Sequence, residues 1–420
     1  MKIEPKILKG FRDFLPREAR KRQYAVDALR RVFESYGFEP LETPALEYAE
    51  ILEGKYGDEG EKLMYRFEDK GGRKVAMRYD QTVPLARVVA QYGSAGSPQV
   101  LPLPFKRYQI QNVWRGENPQ AGRFREFLQC DIDTVGTTSI LADAEIIKIA
   151  VSSLKKLGFS KFKVLINNRK LFEKFIEDGY VSDENKLSDV TRSLDKIKKI
   201  GRNGVKDELI SKGFSEQQAE GILSNAETME KNPDIISLEN YLRKLGLKDE
   251  EFIFKPDLAR GLDYYTGTIF EIEIEGYTAG SVCGGGRYDN LIGMFTNAQI
   301  PAVGCAFGFD RVIEAMDKLN LFPAELSTTK VLVTIFSPEL LDKSIEASKA
   351  LSKASILQEL YVDENVKIDK QLKYADQKGI PYVVLIGPKE AENNSVTIKN
   401  METAEQTTVK VDHLVNELKS

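Results

Sequence analysis

The chain has 420 residues, 42% hydrophobic and 30% charged, with a net charge of −4. That is the balance of a folded protein of two or three domains, and it excludes both a disordered chain and a uniformly basic nucleic-acid coat. No stretch approaches the roughly 20 apolar residues of a membrane helix, so no membrane partner is expected. The N-terminus lacks the apolar block of a signal peptide. The cysteines Cys130, Cys283 and Cys305 stand in no disulfide or zinc spacing, so the cytoplasm is the expected compartment. A single histidine, His413, excludes multi-histidine metal sites. Every arginine lies at or before Arg311, which confines forked guanidinium chemistry to the first three quarters of the chain.

In chain order, a helix is expected from about Pro16 to Tyr36, where Tyr24, Ala28, Val32 and Phe33 recur near helical spacing between Pro16 and Gly37. Two prolines make Phe38–Pro44 extended. Strands are expected at Met64–Phe67 and Val75–Tyr79 around an Asp-Lys-Gly-Gly turn. An antiparallel pair is expected at Phe105–Arg115 and Phe124–Val135, joined by the polar loop Gly116–Gly122. A helix follows over Leu141–Leu157. From Asn167 to about Lys248 strand signals vanish and charged residues dominate, with glycines breaking short helices, which reads as an inserted helical module. Strands resume within Ile253–Ile274 and Ala279–Arg287, and Gly304–Met316 runs from strand into helix. After a boundary near Leu321–Thr329, strand and helix alternate as in a compact α/β domain with a mixed sheet.

Four segments carry chemistry. In the strand after the polar loop, alternation puts Arg123, Arg125, Phe127, Gln129, Asp131 and Asp133 on one parity. Such a face fits either a solvated sheet with paired charges or a polar ligand floor, where arginines fork onto phosphate and an aromatic ring stacks on a base. In Asp257–Gly267, Arg260 precedes Tyr264 and Tyr265, within what reads as a hairpin or an apolar strand. Gly284-Gly285-Gly286 serves either as a turn or as a place of close backbone approach, and it is not a G-x-G-x-x-G signature. Gly304–Val312 delivers Arg311 at a helix start, where a phosphate is favoured and a plain capping role is equally open.

Together these segments resemble class II aminoacyl-tRNA synthetases. Phe38–Pro44, Trp114–Phe127 and Gly308–Arg311 look like that class's motifs 1, 2 and 3. Met77–Arg87, Ala259–Tyr265 and Gly284–Asp289 are similar to elements specific to the histidyl-tRNA synthetase family, and Lys370–Ala375 with Gly379–Tyr382 look like its anticodon-binding domain. The resemblance implies an α/β protein. Its catalytic domain, of α+β type with the antiparallel sheet of class II synthetases, would span residues 1–166 and 249–325. The helical insertion would span 167–248, and a mixed α/β anticodon-binding domain 328–420.

It also implies activation of L-histidine by ATP with Mg2+ and transfer to the 3′ end of histidine tRNA, by a homodimer built through motif 1. Residue by residue, Arg115 matches the ligand of the α-phosphate and substrate carboxylate, and Arg260 the catalytic arginine on the opposite side. Arg123 and Arg311 match γ-phosphate ligands, Phe127 the adenine stacker and Glu117 the neighbour of the adenine amine. Asp80, Gln81, Thr82 and Gln129 fall in the histidine-binding set, with Asp80, Thr82 and Gln129 on the α-amino group. Asp133 and Tyr265, supported by Tyr264, match the readers of the imidazole, and Gln120 fits the loop residue at the tRNA acceptor end. The chain departs from many bacterial members in having Asp80-Gln81-Thr82 for Glu-Gly-Thr, and Asn118 where an arginine is usual. A synthetase-like regulatory paralogue is disfavoured by the intact arginines and the C-terminal domain, and sister enzymes for threonine, proline or glycine by Arg260–Tyr265.

Overall fold

The structure, a computed structural model, describes residues 3–55, 57–93, 101–119, 123–261, 264–296, 298–323, 326 and 329–419. It divides into two compact units, Met1–Phe322 and Pro323–Ser420.

The first unit is built on an eight-stranded sheet. Its spatial order is Glu39–Pro40, Phe105–Trp114, Glu126–Val135, Ala302–Gly308, Cys283–Arg287, Thr268–Ile274, Phe162–Asn168 and Phe252–Phe254. All neighbours are antiparallel except the two outermost pairs, which are parallel. Side-chain alternation gives the central strands two different faces. From Glu126–Val135, Cys130 and Ile132 enter the apolar core, and Val303, Cys305 and Phe307 do so from Ala302–Gly308. The opposite parity, including Gln129, Asp131 and Asp133, carries polar groups.

Helices cover the apolar face. Pro16–Ser35 has proline in its first turn, buries Ala25, Leu29 and Phe33, and stops before Gly37, whose φ of 77° ends the helix. Ile140–Lys156 starts where the Ser139 side chain accepts from the Leu141 N–H and ends on two lysines that suit the helix dipole. Pro233–Lys244 adds Ile235, Leu238 and Leu242 to the same core. Each fully buried Leu or Phe contributes about 1.5–3 kcal/mol, so this packing is what pins the sheet.

The helices between Lys174 and Thr228 build a second core from residues such as Phe175, Leu187, Val205 and Ile222, which extends to Ala259, Tyr265 and Ile269. A three-stranded sheet, Leu46–Tyr48, Lys74–Met77 and Arg66–Glu68, packs with the helix Thr82–Tyr92 around Leu52, Val83 and Leu85. The second unit holds a five-stranded sheet in the order Gln358–Leu360, Val331–Val333, Tyr382–Leu385, Ser395–Asn400 and Gln406–Lys410. Its first three strands are parallel and its last two antiparallel, the mixed pattern expected from the sequence.

One local expectation fails, and one open alternative closes. Residues 255–261 and 264–267 form irregular chain rather than a strand, because Pro256, Gly261 and Gly267 interrupt ladder pairing. The glycine triplet is no turn: it lies inside the buried strand Cys283–Arg287, paired on both sides.

Candidate active site

A cavity of about 470 Å³ opens over the polar face of the large sheet. Its floor is the Glu126–Val135 strand, which presents Phe127, Gln129, Asp131 and Asp133. Arg123 lines it as well, but Arg125 does not. The regular strand begins only at Glu126, so the alternation lapses before it, and Arg125 turns back to donate to the Glu117 and Lys9 carbonyls.

One wall carries guanidinium groups. Arg115 donates from Nε to the Tyr79 carbonyl at 3.1 Å and lies over the Tyr79 and Phe127 rings. Arg123 pairs with Glu117 at 3.0 Å across the polar loop. Arg311 sits in the first turn of the helix Phe309–Lys318 and donates to the Ser281 carbonyl at 3.0 Å. Its neighbour Asp310 is held from behind by Arg12, at 2.7 Å, and by Arg22. Arg260 reaches in from the irregular segment and pairs with Glu271 at 3.1 Å. Although burial works against its charge, the surrounding Tyr265, Glu271 and Asp195 hold that guanidinium above its ordinary pKa.

The other end is built from acids, an amide and hydroxyls. Asp80 accepts from the Val83 N–H at the start of the helix Thr82–Tyr92. Thr82 hydrogen-bonds Tyr264, whose ring meets that of Tyr265 at 4.9 Å. Gln129 Oε1 and Asp131 Oδ1 are buried without a hydrogen-bond partner, acceptors aimed at something the protein does not supply. Burial raises the Asp131 carboxyl well above its usual range and the Asp133 carboxyl to a lesser degree; Arg107 opposes both shifts, and the Tyr288 hydroxyl, which donates to Asp133, opposes the second. Burial likewise keeps Tyr264 and Tyr265 protonated.

The glycines make this possible. A Cβ on Gly284 would sit 1.9 Å from Arg260 NH1, and one on Gly304 would sit 1.9 Å from Asp133 Oδ1. A Cβ on Gly286 would meet the Tyr265 ring at 2.8 Å. Small residues are required where ligand-facing side chains cross the sheet.

The residues singled out from the sequence thus converge on one cavity, with Arg125 and two others as exceptions. Gln81 is wholly buried behind the floor and donates to the Gln111 and Gln129 carbonyls at 2.8 and 3.3 Å, so it supports the site without lining it. Its position just before the helix points the side chain into the sheet rather than into the cavity. Gln120 lies outside the described residues. Asp131 lines it as the strand alternation anticipates, and the cavity also recruits Tyr288 and Glu271, and Asp195 from the helical module. Glu271 is one of two acids, with Glu273, that alternate with apolar residues in the strand Thr268–Ile274, whereas nothing in the sequence marks Asp195. Solvent reaches Asp195 at the cavity mouth, yet crowding by protein lifts its carboxyl to about 6 against the pull of Arg260. Among the described residues no group of three or more His, Cys, Asp or Glu could hold a metal ion.

A family model described as histidyl-tRNA synthetase matches residues 10–312. The chain belongs to the histidyl-tRNA synthetase family. A second model, described as an anticodon binding domain, matches residues 330–420. Curated relatives agree with this placement. The protein named histidine–tRNA ligase of Rhodopirellula baltica is 40% identical, over 98% of this chain and 96% of its own. That of Cytophaga hutchinsonii is 39% identical over 99% of each. The crystal structure of histidyl-tRNA synthetase from Nostoc sp. PCC 7120 matches with a TM-score of 0.84 and 32% identity, covering 100% of this chain and 99% of that one. The glycine-lined cavity described above therefore lies in the histidyl-tRNA synthetase domain.

Proposed function

We propose that this cavity is where the chain, as a histidine–tRNA ligase, joins L-histidine to ATP and then passes the histidyl group to histidine tRNA. The observation that carries the reading is the two-ended cavity, with arginines at one end and the Asp80, Gln129, Asp133 and tyrosine cluster at the other. A carboxylate oxygen of histidine bonds to the α-phosphorus while the bond to the bridging oxygen breaks and pyrophosphate leaves. The terminal ribose hydroxyl of tRNA then bonds to the acyl carbon, losing its proton as AMP leaves.

Such steps depend on positioning and on charge placed where it develops. Arg115 and Arg260 approach the α-phosphate from opposite sides, with Arg260 the main catalytic group. Arg123 and Arg311 hold the γ-phosphate, Phe127 stacks on adenine, and Glu117 lies by its amine. Mg2+ would arrive with ATP rather than be held by a dedicated protein site, and would supply further neutralisation of phosphate charge. Asp80, Thr82 and Gln129 bind the α-ammonium group. Asp133 accepts from one imidazole nitrogen, and Tyr265, braced by Tyr264, serves the other, matching the one donor and one acceptor of neutral imidazole. A site built this way rejects analogues lacking those groups by roughly 10⁴–10⁵.

We assign residues 1–166 and 249–325 to catalysis, 167–248 to a helical insertion and 328–420 to anticodon binding. The working unit is a homodimer formed through the Pro16–Ser35 helix and the Phe38–Pro44 segment, acting in the cytoplasm, with Gln120 at the acceptor end of the tRNA. ATP–pyrophosphate exchange with each amino acid in turn tests the activity. Exchange with histidine alone is expected, and exchange with another amino acid, or with none, would overturn it.

A further inference from the structure

Behind the cavity floor lies a polar layer that the residues of the proposed reaction do not include. In the Phe105–Trp114 strand, Arg107, Gln109 and Gln111 stand directly opposite Asp133, Asp131 and Gln129. Arg107 is completely buried and lines no part of the cavity. Its NH2 group lies 2.8 Å from Asp133 Oδ2, its NH1 donates to Gln109 Oε1 at 3.3 Å, and NH2 also donates to the Gln81 carbonyl at 3.4 Å. Tyr288 donates to the other Asp133 oxygen, and glycine at 304 leaves the carboxylate its space.

We propose that Arg107 is a positioning residue for histidine selection, standing beside Asp133 on the neighbouring strand so that its carboxylate is presented as the acceptor for the imidazole N–H. The proposal rests on the reading of Asp133 as an imidazole ligand. The physical need is plain. Three carboxyl groups, Asp80, Asp131 and Asp133, crowd the floor, and burial is the largest influence on the latter two, favouring their neutral forms. A neutral Asp133 could offer an O–H where the substrate also offers N–H. Arg107 is the cation that opposes this for both carboxyls, and Arg115 assists at Asp131. Arg107 NH2 stands 2.8 Å from Asp133 Oδ2, yet that oxygen has no hydrogen-bond partner among the described residues, so the nearby charge favours the carboxylate while leaving it free to accept.

The alternative is that Arg107 only neutralises buried charge so that the sheet can fold. Exchange kinetics of Arg107→Met and Arg107→Lys, each also combined with Asp133→Asn, separate the two between pH 7 and 8.5, where free imidazole is neutral. Arg107→Met should raise the histidine KM at pH 7 by about 10–100-fold, the equivalent of losing one charge-assisted hydrogen bond, while the ATP KM holds. The raised KM should fall as pH rises and Asp133 ionises.

The other groups facing Asp133 are Asp131 and Asp80, Tyr288, Tyr265 and Cys305. Burial keeps the two phenols and the thiol neutral through this window. The same slope in an Asp131→Asn background assigns the titration to Asp133. Arg107→Lys should recover most of the loss, and Arg107→Met should add little once Asp133 is Asn.

A pH-independent loss, a parallel rise in the ATP KM, or additivity with Asp133→Asn would make Arg107 a packing residue and overturn the proposal. If Arg107→Met does not fold, the Lys variant decides, because a histidine KM raised as far as that of Asp133→Asn contradicts it. An Asp133→Asn protein with unchanged histidine KM would instead refute the underlying assignment of Asp133.

Discussion

Replacing Gly284 with alanine isolates the geometry of Arg260, the arginine proposed as the main catalytic group. The new Cβ would lie 1.9 Å from Arg260 NH1 and 2.8 Å from its Cζ, against an ordinary contact distance of 3.4 Å or more. The obstructing atoms are the far end of a flexible side chain, so the fold survives and the guanidinium retreats by about 1.5 Å. A misplacement of that size at the reacting centre costs on the order of 100-fold in rate. Pyrophosphate exchange should therefore fall by about two orders of magnitude, with the histidine KM within about threefold of wild type. The neighbouring Gly285→Ala is the control. Its Cβ would meet the Gly304 carbonyl at 2.1 Å and the Cys305 Cα at 2.6 Å, both backbone, so it should cost about 3 kcal/mol or more in urea unfolding. Full exchange activity in Gly284→Ala, or equal loss of stability in the two variants, would refute the view that one glycine serves Arg260 and the other the sheet.

Asp195 gives a pH prediction. Its carboxyl is lifted from 3.8 to about 6 in the fold, so the stability it contributes is full at low pH and is lost as pH rises through about 6. Asp195→Asn should thus raise the melting temperature at pH 7.5 and leave it nearly unchanged at about pH 3, below the unfolded value of 3.8; an equal effect at both pH values would contradict this. A truncation ending at Phe322, the limit of the first compact unit, should keep histidine-dependent exchange within about tenfold and lose most tRNA charging. Full charging by the truncation would empty the anticodon assignment of function. Light scattering should find a dimer at micromolar concentration, and a stable, active monomer would refute the interface assigned to the Pro16–Ser35 helix.

Much of the site was legible because strand periodicity is a strong signal where a strand is regular. Phe127, Gln129 and Asp133 fall on the cavity side as alternation requires, whereas Arg125 does not, because the ladder begins only at Glu126. The same period of two runs through Arg107, Gln109 and Gln111 on the partner strand, yet no motif marks them, and none of the three lines the cavity. The glycine triplet stayed open between a turn and a close approach because sequence cannot show that Arg260 and Tyr265, from another segment, need the space above it. Pro233–Lys244 has the same charged texture as the helices before it. Only packing shows that Ile235, Leu238 and Leu242 join the main core rather than that of the helical module.

The division of the cavity into a phosphorus-facing end and a histidine-reading end is tested most directly by single-turnover adenylation in Arg260→Ala, with histidine binding measured on the same protein. Arg260 acts where charge reorganises at phosphorus, so the adenylation rate should fall by about 100-fold or more while the histidine dissociation constant moves less than about threefold. Equal losses in rate and affinity would show that Arg260 holds substrate in the ground state, and would contradict its role as the catalytic arginine.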